Sequence, residues 1–173
     1  MRLLYLLFFP GVILHEFSHY LACALTGVKV FDVKFFGTKE AYVKHEKPGI
    51  LQSILITVAP FFVSNFVGYL LLSEAHLLLA SYFLASVVFY WIGISAVYFS
   101  FPSDADAKNS FHAFIAFSKQ KIFSGSFITR LLWLLILPLV FLPVALVLSV
   151  ILFFNYIFFL RLLWLFFVFS VSM

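Results

Sequence analysis

Two histidines and a glutamate near the start of the chain have the types and spacing of a metal-dependent hydrolytic centre. Residues 11–23 read GVILHEFSHYLAC, which contains the pattern His-Glu-x-x-His. Residues four apart lie on one face of a helix, so His15 and His19 can each offer an imidazole nitrogen to the same ion. Glu16 stands next to the first histidine, where its carboxylate can accept a proton from a water molecule at the metal. The pattern predicts a metal site with Glu16 as general base.

The alternative is that the pattern arose by chance and serves only packing. The surrounding residues argue against this, because the motif lies inside an apolar run that is long enough to cross a bilayer. Ionisable side chains in a membrane span are costly unless they bind or pair with something, and they are functional by default. The membrane setting therefore favours a functional metal site.

The composition indicates the solvent in which the chain folds. It is 65% hydrophobic and only 10% charged, with a mean hydropathy of +1.15. A globule of this length buries only about 70% of the surface that its unfolded chain exposes, so it could not hide this apolar share from water. We therefore predict an all-α polytopic membrane protein, a single integral domain over residues 1–173 with the lipid bilayer as its partner. The lysines are not interleaved into a nucleic-acid-binding patch, and no nucleic acid partner is expected.

Long apolar runs predict four to five transmembrane helices, and a re-entrant hairpin is an alternative to the last two. The predicted spans are residues 3–26, 50–72, 77–99, 131–154 and 156–173. The first run could instead be a secretory signal peptide, since Arg2 precedes it, but the polar residues of the motif argue against cleavage. Cys23 is the single cysteine, and an apolar filler is favoured over a metal ligand there.

Between the first two spans, residues 28–46 predict a small β-hairpin at the membrane surface. Apolar and charged residues alternate on either side of a turn at Gly37, Thr38 and Lys39. One possibility is that an exposed edge of the hairpin pairs with an extended substrate segment. The other is that these residues are a short amphipathic connector.

A second polar cluster, at residues 101–118, could supply the remaining ligand. Ser103 and Asp106 have capping-box spacing, which predicts that a helix begins there. Catalytic zinc usually takes three protein ligands and a water, and a carboxylate oxygen is a suitable third donor. Asp106 is the favoured third ligand and Asp104 the runner-up. Asn109 is a candidate to support the ligands from behind, but a solvated position at the surface is favoured for it.

Asn65 and Pro60 interrupt the second apolar run. A proline within a span removes a backbone hydrogen bond and kinks the helix, which is tolerated where a neighbour satisfies the freed carbonyl. Asn65 could orient a substrate backbone near the metal, or it could tie two helices together.

The distribution of lysines predicts the orientation of the chain. By the positive-inside tendency, the lysine-bearing loops after the first and third spans face the cytoplasm and the N-terminus lies outside. For Asp106 to reach the metal, the chain after Pro102 must then dip back into the bilayer or line a water-filled notch. The lysines of these loops are Lys29, Lys34, Lys39, Lys44, Lys47, Lys108, Lys119 and Lys121.

Together these residues resemble the site-2 protease family of intramembrane zinc metalloproteases. The resemblance is carried by His15, Glu16 and His19, and it extends more weakly through about residue 109. It implies zinc held by two histidines and an aspartate, a glutamate as general base, and transmembrane protein segments as substrates. The chain departs from the family pattern twice. Asn65 follows Ala59-Pro60 where the family has Gly-Pro-x-x-Asn, and Pro-Ser-x-x-Asp-x-x-Asn replaces the family's Leu-Asp-Gly.

We therefore expect an intramembrane zinc metalloprotease that hydrolyses peptide bonds of transmembrane or membrane-proximal segments. Two alternatives stay open: a proteolytically inactive membrane scaffold, and a metal transporter or sensor that uses the same histidines and aspartate. The ligand set also leaves iron and cobalt as alternatives to zinc.

Overall fold

A computed structural model describes residues 2–37, 41–156 and 158–173, which form a mostly helical protein with one small sheet. Thr38 and Lys39 of the predicted hairpin turn lie outside the described residues. In chain order the elements are α1 (Arg2–Leu7), α2 (Phe9–Thr26), β1 (Val30–Lys34), β2 (Tyr42–His45), α3 (Ile50–Leu78), α4 (Phe83–Tyr98), α5 (Asp104–Phe123), α6 (Phe127–Tyr156) and α7 (Phe158–Ser172).

The first apolar run forms two helices, α1 and α2, rather than one continuous span. The break lies at Phe8, two residues before Pro10. Proline has no backbone N–H, so Pro10 cannot donate to the carbonyl of Leu6, and helix α1 ends. The Trp91 indole on α4 donates to the carbonyl of Leu7 at 2.9 Å, which satisfies an acceptor exposed by the break.

The predicted β-hairpin is present as an antiparallel pair of strands. Val33 pairs with Val43 and Lys34 with Tyr42, and the register shifts between Val30 and Asp32. The chain enters β1 from a left-handed turn at Gly27, whose φ of 73° ends helix α2. Only three residues, 27–29, thus separate the sheet from the helix that carries the histidines.

Helices α2, α3 and α4 pack closely because small residues lie where their backbones cross. A Cβ atom added to Gly11 would stand 1.9 Å from the carbonyl oxygen of Ser95, so α2 touches the backbone of α4. Gly68 and Gly93 give α3 and α4 a similarly close approach. These contacts hold the histidine-bearing helix in a fixed position against its neighbours.

Helix α3 is longer than predicted, and α4 begins later. Residues 73–76, which lie between the second and third predicted spans, continue α3 to Leu78. None of these residues is glycine or proline, so nothing in them stops a helix. The hydroxyl of Ser86 on α4 donates to the carbonyl of Ala75 at 2.7 Å, which ties this last part of α3 into the structure.

Among the residues that the structure describes, two helices are long and apolar enough to cross a membrane: α3, and residues Phe127–Ile151 of α6. Two shorter apolar helices are Phe83–Tyr98 and Phe159–Ser172. On α6 large side chains such as Leu135, Leu139 and Leu142 are at least two-thirds exposed. A continuous apolar surface of this kind is suited to lipid. The number of spans beyond these two remains a prediction.

Candidate metal centre

His15 and His19 lie one turn apart on the inner face of α2. Both are buried, with 8% and 5% of their surfaces exposed. Gly11, one turn before His15, lies directly against the backbone of α4 and orients this face of α2 inward. The Nε2 atoms of the two rings are 3.2 Å apart.

Asp106, at the start of α5, brings a carboxylate to the two imidazoles. Its Oδ2 atom is 3.6 Å from His15 Nε2 and 3.4 Å from His19 Nε2. The three donors come from positions that are up to 91 residues apart in the sequence, and they form the one His/Cys/Asp/Glu group with metal-site spacing among the described residues. Residues 101–118, the second polar cluster of the sequence, thus bring a carboxylate to the two histidines of α2.

The opposite nitrogen of each imidazole is held by a backbone carbonyl. Nδ1 of His15 lies 2.8 Å from the carbonyl oxygen of Phe99, and Nδ1 of His19 lies 2.8 Å from that of Ile56. A carbonyl oxygen can only accept, so each Nδ1 carries the hydrogen. In the neutral rings both Nε2 atoms are then left with lone pairs that face the Asp106 carboxylate.

This arrangement fits a bound cation. Three electron-rich atoms in mutual contact repel one another unless a positive charge lies among them. In a tetrahedral zinc site with ligand distances of about 2.0–2.2 Å, two ligand atoms are separated by about 3.3–3.6 Å. The separations of 3.2, 3.4 and 3.6 Å are close to this range. Two imidazoles and one carboxylate are also a donor set used by catalytic zinc.

Asp106 serves its own helix at the same time. Its Oδ2 accepts hydrogen bonds from the backbone N–H and the hydroxyl of Ser103, at 2.8 and 2.6 Å, and its N–H donates to the Ser103 hydroxyl. The predicted capping box is therefore present. The two hydrogen bonds from Ser103 stabilise the ionised form of the Asp106 side chain, so a carboxylate is available as an anionic ligand.

Three hydroxyls attach the start of α5 to α3. The Thr57 hydroxyl contacts that of Ser110 and donates to the carbonyl of Asp106 at 3.4 Å. Ser110 also donates to the carbonyl of Ser53 at 3.3 Å. We call Ser53, Thr57 and Ser110 the hydroxyl cluster. It fixes the position of Asp106 along α3, the helix whose Ile56 carbonyl bonds His19.

Glu16 is half-buried and, by helix periodicity, shares a face of α2 with Phe9 and Tyr20. Phe35 contacts Phe17 and Tyr20, while Phe36 contacts Phe9, so this segment runs along the part of α2 that contains Glu16. The Glu16 carboxylate interacts electrostatically with both histidines and with Asp106. The glutamate is thus close to the metal-site donors without being one of the three.

The other candidate residues take different places. Asp104 is not in the three-donor group, and it interacts electrostatically with Arg161 on α7. The side chain of Asn109 is exposed. Asn65 donates to the carbonyl of Phe61 at 2.6 Å and accepts from the Trp164 indole at 2.8 Å, which joins α3 to α7.

Sequence reasoning missed the groups that support the donors from behind. Thr57 and Ser110 were not singled out, although hydroxyls in an apolar helix are a signal of helix–helix hydrogen bonds. The carbonyls of Ile56 and Phe99 had no signal in side-chain identity, because the contacting atoms belong to the backbone.

Comparison with known proteins supports a peptidase. The sequence model of a family described as Peptidase M50B-like matches residues 2–101, more than half of the chain. The match includes His15, Glu16 and His19, and it ends before Asp106. No curated protein and no solved structure matches the chain significantly.

Proposed function

Because the chain belongs to the Peptidase M50B-like family, we propose that it is an intramembrane zinc metalloprotease that cleaves transmembrane or membrane-proximal protein segments. Membership confirms the resemblance to site-2 proteases. The observation that carries the proposal further is the convergence of His15 Nε2, His19 Nε2 and Asp106 Oδ2, with Glu16 beside them. Asp106 is the proposed third ligand.

The proposed reaction is hydrolysis of a peptide bond. A bound zinc ion would supply Lewis-acid chemistry: it polarises the scissile carbonyl and lowers the pKa of a water molecule towards neutrality. Glu16 accepts a proton from the attacking water as the water oxygen bonds to the carbonyl carbon. Glu16 then gives that proton to the amide nitrogen as the C–N bond breaks, and the second water proton passes from the new carboxyl group to the amine, so the products are a carboxylate and an ammonium group.

The substrate is proposed to be an extended segment of a membrane protein. Glu16 shares a face of α2 with Tyr20, which contacts Phe35 just after β1. The sheet has two strands in the described residues, so each strand has one edge without a neighbouring strand. An extended peptide can satisfy such an edge by main-chain hydrogen bonds. A helical transmembrane segment must therefore unwind locally before its carbonyl comes within reach of Glu16.

The general-base role is tested by comparing Glu16→Gln with His19→Ala in purified protein. Glu16→Gln should retain zinc and lose cleavage of a model transmembrane substrate, because the amide cannot accept the proton. His19→Ala should lose both zinc and cleavage, because it removes a ligand. Zinc is measured by elemental analysis and cleavage by gel shift of the substrate.

The same experiment separates the alternatives. If Glu16→Gln cleaves as well as the parent, the assignment of Glu16 is wrong. If the parent binds zinc but cleaves none of a panel of membrane substrates, the inactive scaffold is the better description. Zinc-dependent transport into vesicles by the parent, without cleavage, would indicate the transporter.

A further inference from the structure

The carbonyl that holds His19 belongs to a residue four positions before a proline. His19 Nδ1 lies 2.8 Å from the carbonyl oxygen of Ile56, and Pro60 lies inside the same helix, α3. In an α-helix the N–H of residue i donates to the carbonyl of residue i−4, so the regular partner of the Ile56 carbonyl would be the N–H of residue 60. Proline has no N–H, and this bond cannot form.

A free carbonyl in the middle of a buried helix needs another donor. Pro60 is fully buried, and His19 is only 5% exposed, so water does not serve this part of α3 readily. A buried carbonyl without a donor is costly. The imidazole N–H of His19 takes the place of the missing backbone N–H.

His15 also bonds a carbonyl without a helical partner, but this carbonyl is free because a helix ends there. His15 Nδ1 lies 2.8 Å from the carbonyl of Phe99, the residue that caps the end of α4 at Tyr98. The last carbonyls of a helix have no partner within the helix. Both ring-holding acceptors are therefore carbonyls that helix geometry leaves free, one because a helix ends and one because a proline interrupts it.

We propose that Pro60 is a positioning residue of the metal centre, which acts by leaving the Ile56 carbonyl to His19 and so directs the His19 Nε2 lone pair towards the other donors. The inference rests on the proposed zinc site and not on proteolysis. It explains why a residue that weakens helices lies in the longest helix of the α2–α3–α4 packing unit. The functional feature of Pro60 is the Ile56 carbonyl that it leaves without a backbone donor, rather than any bend that the proline causes in α3.

The test is Pro60→Ala, compared with Pro138→Ala on α6. Alanine restores the N–H at position 60, which competes with His19 for the Ile56 carbonyl. We expect the zinc Kd, measured by competition with a chelator, to rise about 10- to 100-fold, as is typical when a group that orients a ligand is lost. The Tm of the zinc-free protein should stay equal or rise, because α3 gains a backbone hydrogen bond. Pro138→Ala should leave the zinc Kd unchanged, since Pro138 lies on the exposed side of a helix that carries no ligand.

If Pro60 only supported the fold, Pro60→Ala would weaken zinc binding together with a lower Tm of the zinc-free protein, and not at an equal or higher Tm. That result, or an unchanged zinc Kd in Pro60→Ala, would overturn the proposal. A second measurement does not depend on the variant folding. Nitrogen NMR of the parent, labelled in histidine and freed of zinc, should find the His19 hydrogen on Nδ1, and a hydrogen on Nε2 would contradict the proposal. Both readouts stand whether or not the protein cleaves any substrate.

Discussion

Each histidine of the centre is fixed at one ring nitrogen and free at the other. Because Nδ1 donates to a carbonyl, Nε2 of His15 and His19 can serve as a ligand without a change of tautomer. Outer hydrogen bonds of this kind orient ligands and raise their basicity. At the scale of single residues, the backbone acceptors prepare the proposed site for a cation as much as the three proposed ligands do.

Asp106→Asn should weaken zinc binding by more than the roughly 100-fold typical of losing a supporting group, because a neutral amide oxygen replaces an anionic ligand. The N-cap residue Ser103 is unchanged and the asparagine oxygen can still accept from its backbone N–H, so helix α5 should still form. Asp104→Asn is the matched control and should keep parental zinc affinity. Equal losses in the two variants, measured by chelator competition, would contradict the assignment of Asp106 over Asp104.

The grouping of the candidate site residues could be predicted from the sequence where spacing alone is informative. The turn-by-turn spacing of His15 and His19 indicated a shared face, and the spacing of Ser103 and Asp106 indicated the capping box that is present. That Asp106 also faces the histidines depends on how α5 sits against α3. No local pattern encodes that contact, because the residues that make it are about 50 positions apart.

At the scale of elements, the hydroxyl cluster determines where α5 meets α3. Thr57→Val and Ser110→Ala each remove a hydroxyl and keep most of the side-chain volume. The loss of these hydrogen bonds should let the start of α5 shift, so we expect zinc affinity to fall about 10-fold for each variant, at the lower end of the effects seen when supporting groups are removed.

The control for these variants is Ser118→Ala on the same helix. Ser118 is buried and its hydroxyl donates only within α5, to the carbonyl of Phe114 at 2.9 Å. It should not alter zinc affinity. If the double variant of Thr57 and Ser110 binds zinc as tightly as the parent does, the cluster does not position Asp106.

The lengths of the helices were harder to predict than their existence. Pro10 ends α1 because it lacks an N–H, whereas Pro60 lies inside a helix that continues to Leu78. The same residue type therefore has two outcomes. In both places another helix supplies a donor: the Trp91 indole bonds the Leu7 carbonyl at the break, and the His19 imidazole bonds the Ile56 carbonyl that Pro60 leaves free.

At the scale of the whole molecule, α7 closes the bundle through the bond between Trp164 and Asn65. Asn65→Leu and Trp164→Phe each break this bond, so both should lower stability by a similar amount, about 1 kcal/mol for a hydrogen bond between membrane helices. Thermal unfolding in detergent measures the loss. A role for Asn65 in orienting substrate predicts instead that only Asn65→Leu slows cleavage by the zinc-loaded protein.

The predicted orientation of the chain can be tested with two new cysteines. Lys44→Cys and Lys119→Cys lie at exposed positions in the two lysine-bearing regions, so a membrane-impermeant thiol reagent should label both from the cytoplasmic side. Cys23 is completely buried and provides the unlabelled background in the parent. Labelling of the two positions from opposite sides would refute the shared orientation of these loops.

The support of both imidazoles by main-chain oxygens has a consequence for genetic screens. Any amino acid supplies the same carbonyl at positions 56 and 99. Side-chain replacement there would therefore test the size and shape of the side chain, and it would not remove the carbonyl oxygens that bond the two imidazoles. Chemical synthesis can alter these oxygens directly. An ester in place of the peptide bond between residues 56 and 57 makes the Ile56 carbonyl oxygen a weaker acceptor and leaves every side chain intact.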